Sequence, residues 1–209
     1  MIADIKLVEG GLKDNLRITL IRSGITESGQ NGIYVGRSDE ELTGKSAGQI
    51  WRDAKDNKYP PAEVVFVSPM LRARQTAELI YPTVEHMIKD KLCAYHYGEY
   101  TGMNYKQIKK EERFLQWEKT TRGDPFPGAE NYMVMSARSK FVFKEIAEEM
   151  LSEGVAWVSI VTHMMVISAI MRRFSLPRRN YADWKVKNGG GYTIEYDWKN
   201  SCGFIAKTF

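Results

Sequence analysis

The run Arg17-Ile18-Thr19-Leu20-Ile21 passes straight into Arg22-Ser23-Gly24, and this junction decides how the chain is read. A β-branched, apolar run that stops at a polar, glycine-containing turn reads as a buried strand. The arrangement recurs twice. Val64-Val65-Phe66-Val67 stops at Ser68-Pro69-Met70-Leu71-Arg72, and the apolar run 157–161 stops at Thr162-His163. Helical patterns lie between and after these runs. They cover 44–57, 72–80 (ended by Tyr81-Pro82), a polar helix over 104–119, a long helix over 130–152, and 166–174. In the long helix Phe143, Ile146, Ala147 and Met150 recur at i, i+3, i+4 and i+7, and Gly154 ends it. The segments 192–196 and 204–207 read as closing strands.

Strands that alternate with helices and are apolar on both faces predict an α/β fold. The expected form is a three-layer α/β/α sandwich, with a mostly parallel sheet and helices on both faces. Ligands of such sheets bind beyond the carboxyl ends of the strands. The residues that follow the three apolar runs include Arg22, Ser23, Arg72 and His163. A guanidinium is a planar fork of donors suited to phosphate oxygens, and an imidazole exchanges a proton near neutral pH. These residues therefore predict an anion pocket for a phosphoryl group, with surface ion pairs and a satisfied core as the alternative.

Composition bounds the remainder. The 209 residues are 43% hydrophobic and 27% charged, ordinary values for one globular domain over residues 1–209. The formal net charge of +4 comes without a basic stripe, which argues against nucleic acid. Two cysteines do not make a secreted disulfide scaffold. Cys93 and His96 have metal-like spacing but lack a second close pair, so no metal site and no cofactor is expected. The stretch 155–171 is interrupted by Thr162 and His163 and is short for a bilayer. A soluble, cytoplasmic protein with no membrane partner follows as an expectation, and the oligomeric state is left open. Thr43-Gly44-Lys45-Ser46 imitates the end of a phosphate-binding loop. The pattern needs glycine at position 39, where Asp39 stands, so the segment reads as a helix start.

The order of these pieces resembles the histidine phosphatase superfamily, the phosphoglycerate-mutase-like fold. The segment from Leu20 through Arg22-Ser23-Gly24 to Thr26-Glu27 is similar to the family's Leu-Ile-Arg-His-Gly-Glu-Thr opening. The stretch from Gly32 to Asp39, then Leu42-Thr43, resembles its following loop. Val67-Ser68-Pro69-Met70-Leu71-Arg72-Ala73-Arg74-Gln75-Thr76-Ala77 resembles its second motif, and Val161-Thr162-His163 its third. Tyr97-Gly98-Glu99-Tyr100-Thr101-Gly102 resembles its Gly-acid turn. Among members, the chain looks most like the small bacterial phosphatases related to alpha-ribazole phosphatase.

The resemblance implies a phosphomonoesterase acting on a small phosphate ester, alpha-ribazole phosphate among the candidates. Arg22 and Arg72 would clamp the phosphoryl group, His163 would be the second histidine, and Thr26, Arg37 and Met164 would meet substrate. The chain departs from the pattern where bonds are broken. Ser23 holds the place of the nucleophilic histidine, and Ala94 that of the proton-donating carboxylate. Met164-Met165 stands for a frequent Gly-Gly, and Ala129-Glu130-Asn131 for Gly-Glu-Ser.

Activity is therefore expected to be low or absent. Three readings of Ser23 stand open: an engineered trap, a naturally silent pseudoenzyme, or a serine nucleophile with His163 as base. Changes at four places favour natural divergence. A stable phosphoserine ester disfavours the serine nucleophile, and disfavours mutase-like transfer more. Glu99 is the nearest remaining carboxylate in sequence, a replacement acid or a solvated turn residue. Arg37 either touches substrate or pairs with Asp39 or Glu40. The partner expected is a small phosphorylated molecule or inorganic phosphate. Specificity is expected from a variable insertion over 99–131, where Tyr100, Tyr105, Trp117 and Phe126 line a pocket or pack a cap. Residues 1–15 read as an N-terminal extension.

Overall fold

The computed structural model describes residues 15–120, 128–180 and 183–209. Residues 1–14 of the expected extension and Phe126 lie outside the described residues, as does the side chain of Trp117. The strands are β1 (Asn15–Arg22), β2 (Val64–Val67), β3 (His86–Ile88), β4 (Trp157–Thr162), β5 (Ser175–Leu176), β6 (Gly191–Asp197) and β7 (Cys202–Thr208). The helices are α1 (Glu27–Gln30), α2 (Gly44–Lys55), α3 (Leu71–Ile80), α4 (Tyr105–Ile108), α5 (Glu112–Thr120), α6 (Tyr132–Ser152) and α7 (Met164–Phe174).

One sheet runs in the order β3-β2-β4-β1-β6-β7-β5. β4 lies parallel between β2 and β1, while β6 pairs antiparallel with β1 and with β7. Among the described strands β6 alone thus runs against the rest, because β7, antiparallel to β6, runs with β1. Side-chain alternation divides the core between its two faces. Leu16, Ile18 and Leu20 of β1, Phe66 of β2 and Ile160 of β4 pack with Phe143 and Ile146 of α6 and Ile167 and Ile170 of α7. Ile21, Val65, Val67 and Val161 pack on the opposite side with Ile50 of α2 and Ala73 and Ala77 of α3. Helices therefore cover both faces, and the three-layer expectation holds.

The helix start at Thr43 is also as expected. Its side chain accepts from the Ser46 amide at 3.1 Å and caps α2. The single helix expected over 104–119 is instead two, α4 and α5. Ile108 and Phe114 are both fully buried against Tyr100. Six residues apart on one continuous helix, they would point in divergent directions. The break between them lets both reach the same ring, and Tyr100 donates to Glu111 in that break at 2.7 Å. The edge strand β3 and the short β5 carry no strand signal of their own. They owe their form to pairing with β2 and β7.

Gly191, opposite Ile21 at the carboxyl end of β1, leaves no room for a side chain. A Cβ there would meet the Leu20 carbonyl oxygen, which is backbone and cannot swing aside. Gly191→Ala is expected to destabilise the fold by about 1–3 kcal/mol, read as a lower denaturation midpoint at unchanged slope.

Candidate functional site

The strand order brings three junctions together. Arg22 lies beside Thr162, and Val67 beside Val161. Ser23, His163 and Ser68 thus stand one residue past the ends of three adjacent strands. Backbone bonds tie them there: the Ser23 amide donates to Thr162 O at 2.8 Å, and the Ser68 amide to Val161 O at 2.9 Å. A cavity of about 220 Å³ opens at this edge, lined by Arg22, Ser23, Thr26, Arg72, His163 and Met164 among others. Six of the eight expected site residues meet in it. Glu99 and Arg37 do not.

Arg72 is 6% exposed at the start of α3. It donates to Gly36 O at 2.7 Å and to Ser38 O at 2.9 Å. Arg22 donates to Val186 O at 2.7 Å and touches Met164 Sδ at 3.6 Å. Neither guanidinium has a carboxylate partner among the described residues. Neutral carbonyls hold both cations, and no carboxylate lines the cavity they face among the described residues; Glu40 and Asp39 act on Arg72 from outside it. Burial lowers both pKa values from their ordinary position, yet an arginine stays charged.

His163 lies beside Arg72 and is buried, at 8% exposure. Its Nε2 lies 2.8 Å from Ser68 Oγ, and its Nδ1 lies 3.5 Å from Arg72 Nη2. Arg72 offers only donors, so Nδ1 is the bare acceptor and Nε2–H donates to Ser68. Burial, then the neighbouring arginines Arg72, Arg138 and Arg22, push its pKa well below the usual histidine range. Ser23 is also buried, and among the described residues its hydroxyl is bonded to no base. Both imidazole nitrogens face elsewhere.

Ala94 lines the cavity at 6% exposure and carries no carboxylate into it. Its backbone is fixed from behind. Arg37 Nε and Arg138 Nη2 both donate to Ala94 O at 3.1 Å. Glu130 binds both arginines, Arg138 Nε at 2.6 Å and Arg37 Nη2 at 3.0 Å. Burial alone would raise the Glu130 carboxyl, but Arg138 and then Arg37 hold it below the usual carboxylate range. Arg37 thus pairs with Glu130, not with Asp39 or Glu40. Asp39 instead accepts from the Leu71 amide at 2.6 Å. Glu99 lies exposed on the 3-10 turn Gly98–Tyr100. A solvated turn residue cannot serve as an acid inside this cavity.

Three lining residues carried no sequence signal for the site. Asn188 donates from Nδ2 to Ser23 O at 3.0 Å, and the next residues bracket Arg22, with Gly189 N donating to Arg22 O at 2.9 Å. Read alone, the Asn188-Gly189-Gly190 stretch is only a turn before a closing strand. Tyr34 and Tyr97 contribute a tilted ring pair with centroids 4.8 Å apart. Burial, and then Tyr34, push the Tyr97 hydroxyl up to about 12 against the opposing pull of Arg22 and Arg72. Among the described residues no group of three or more His, Cys, Asp or Glu side chains gathers as a metal site would require. No described helix is long and apolar enough to cross a membrane.

Comparison with known proteins places this geometry. The model of the histidine phosphatase superfamily (branch 1) matches residues 18–201. The adenosylcobalamin/alpha-ribazole phosphatase of Salmonella typhimurium is 24% identical over 179 residues, 83% of this chain and 87% of that protein. The sedoheptulose 1,7-bisphosphatase of Saccharomyces cerevisiae is 32% identical over 107 residues, 44% of this chain but only 40% of the yeast protein. The crystal structure of the alpha-ribazole phosphatase from Shigella flexneri superposes with a TM-score of 0.79 at 20% identity, covering 92% of this chain and 96% of that one.

Two outcomes are expected from the charge arrangement. Inorganic phosphate at about a hundredfold over its Kd should stabilise the protein by about 2.7 kcal/mol, read as a higher Tm that Arg72→Ala abolishes. In phosphate-free buffer, stability should fall with acidity. The unfolded imidazole takes a proton as pH drops through about 6.5, while the folded His163 resists until well below that. The unfolded state therefore binds more protons in this window. His163→Asn should flatten that part of the stability profile, measured by denaturant titration from pH 7.5 to 5.

Proposed function

The chain belongs to the histidine phosphatase superfamily, and on that premise we propose that its cavity binds the phosphoryl end of a small phosphate ester and hydrolyses it slowly or not at all. One observation carries this reading. A buried guanidinium, a half-buried one and an imidazole face a single hollow, and that hollow contains no carboxylate among the described residues. Arg22 and Arg72 bind and orient the phosphoryl oxygens, and His163 meets them with Nδ1.

The catalytic half of the family chemistry has no carrier in this cavity. The resemblance calls for a histidine that attacks phosphorus and a carboxylate that protonates the leaving oxygen. Ser23 and Ala94 stand there. Among the described residues no base is hydrogen-bonded to the Ser23 hydroxyl, and His163 Nε2 is engaged with Ser68. A serine ester once formed would also resist the second, hydrolytic step. The same argument disfavours mutase-like transfer, which needs a phosphorylated carrier that readily gives up its group.

Alpha-ribazole phosphate is one candidate ligand, on the strength of the Salmonella relative's name. The free thiols of Cys93 and Cys202 suit a reducing compartment, and we assign the protein to the cytoplasm.

The test is turnover of p-nitrophenyl phosphate. Wild-type protein is expected to hydrolyse it at or near the background rate. Ser23→His combined with Ala94→Glu should raise the rate by about a hundredfold or more, and adding Arg72→Ala should remove the gain. Wild-type hydrolysis that disappears in Arg72→Ala would show that this cavity sustains catalysis and would overturn the silent reading.

A further inference from the structure

The cavity changes character along its length. Its phosphoryl end holds Arg22, Arg72 and His163. The surface beyond is formed by side chains such as Ile33, Tyr34, Tyr97, Met164 and Met165, together with the bare methyl of Ala94. Building on the phosphate-ester reading above, we infer that the organic part of the ligand is uncharged and apolar or aromatic, and that esters bearing a carboxylate beside the phosphate are excluded.

Three observations carry this. First, the two cavity cations are anchored to the backbone. Arg72 is held by two backbone carbonyls and Arg22 by a third, so neither can follow a second anionic group outward. Second, the nearest other guanidiniums point away. Arg37 and Arg138 stand behind Ala94, both bonded to Glu130, and neither lines the cavity. Among the described residues no third cation lines the cavity, so a ligand carboxylate would lose its water without gaining a charged partner of its own, which costs affinity.

Third, the apolar surface is chemically suited to a ring or a short chain. The Tyr34–Tyr97 pair offers aromatic surface. Met164 and Met165 add polarizable side chains that adapt to an apolar neighbour. Met164 Sδ also lies against Arg22, so the apolar surface begins where the phosphoryl clamp ends.

Hydrolysis-proof ligands test this by isothermal titration. Phenylphosphonate should bind at least about tenfold tighter than inorganic phosphate, and 3-phosphonopropionate no tighter than phosphate. In Met165→Lys the order of the two phosphonates should reverse, with an unchanged circular dichroism spectrum as the check on folding. If 3-phosphonopropionate binds wild-type protein as tightly as phenylphosphonate, or neither exceeds phosphate, the inference fails. It fails alone if phosphate still binds and Arg72→Ala still removes that binding. If phosphate does not bind at all, or binds equally to Arg72→Ala, the phosphate-ester reading fails with it.

Discussion

Everything at this site depends on how two arginines are held. A buried guanidinium must be satisfied, and a carboxylate is the usual partner. Here the acceptors are the carbonyls of Gly36, Ser38 and Val186. A carbonyl fixes the position of an N–H but cancels no net charge, so the cavity keeps its positive potential. The arrangement needs a loop that turns its carbonyls inward. Gly36 makes that turn with φ +54, and a Cβ there would press on the Tyr95 carbonyl at 3.2 Å. The loop therefore closes against the Tyr95–Tyr97 segment while offering its oxygen to Arg72.

The sheet order makes the convergence unavoidable. Because β4 runs parallel between β1 and β2, residues far apart in sequence leave the sheet at the same edge within one strand spacing of each other. Hydrophobic burial sets the register: shifting β1 by one residue would exchange Leu20 with Ile21 between two different cores. The core thus aligns the site. The antiparallel β6 then closes the other side, and its lead-in residues hold the backbone of Arg22 and Ser23.

Much of this was legible in the sequence because the relevant signals are local. The β1, β2 and β4 runs are short, apolar and stopped by polar turns, so the strands and the residues after them could be read directly. What was not legible depends on pairing or on distant contacts. β3 and β5 exist because a neighbouring strand accepts them. The break between α4 and α5 exists because Ile108 and Phe114 share Tyr100. Glu130 capturing Arg37 joins residues 93 apart in the chain, while Asp39 and Glu40, the obvious local partners, are passed over. Asn188 reaches the site across 165 residues. Glu99 failed as a candidate for the complementary reason: nearness in sequence placed it beside the motif, but the turn it occupies faces solvent.

The charges at the site distinguish a trap from a catalyst. An enzyme gains rate from groups that interact more strongly with the transition state than with the bound substrate. The family's attacking histidine and proton-donating carboxylate are such groups, and a carboxylate beside a phosphate dianion also repels it in the ground state. With Ser23 and Ala94 in their places, that repulsion is gone while both arginines remain. On the proposed silent reading, the change weakens transition-state stabilisation and strengthens ground-state binding together. His163 adds one condition. Its bare Nδ1 is an acceptor facing Arg72, and a phosphate oxygen is an acceptor too. The contact becomes favourable only when a proton lies between them, carried in by a monoanionic phosphate or taken up by the imidazole once the anion offsets its cationic neighbours. On the proposed reading, occupancy of this cavity is therefore coupled to a proton, and charge balance holds the ligand there.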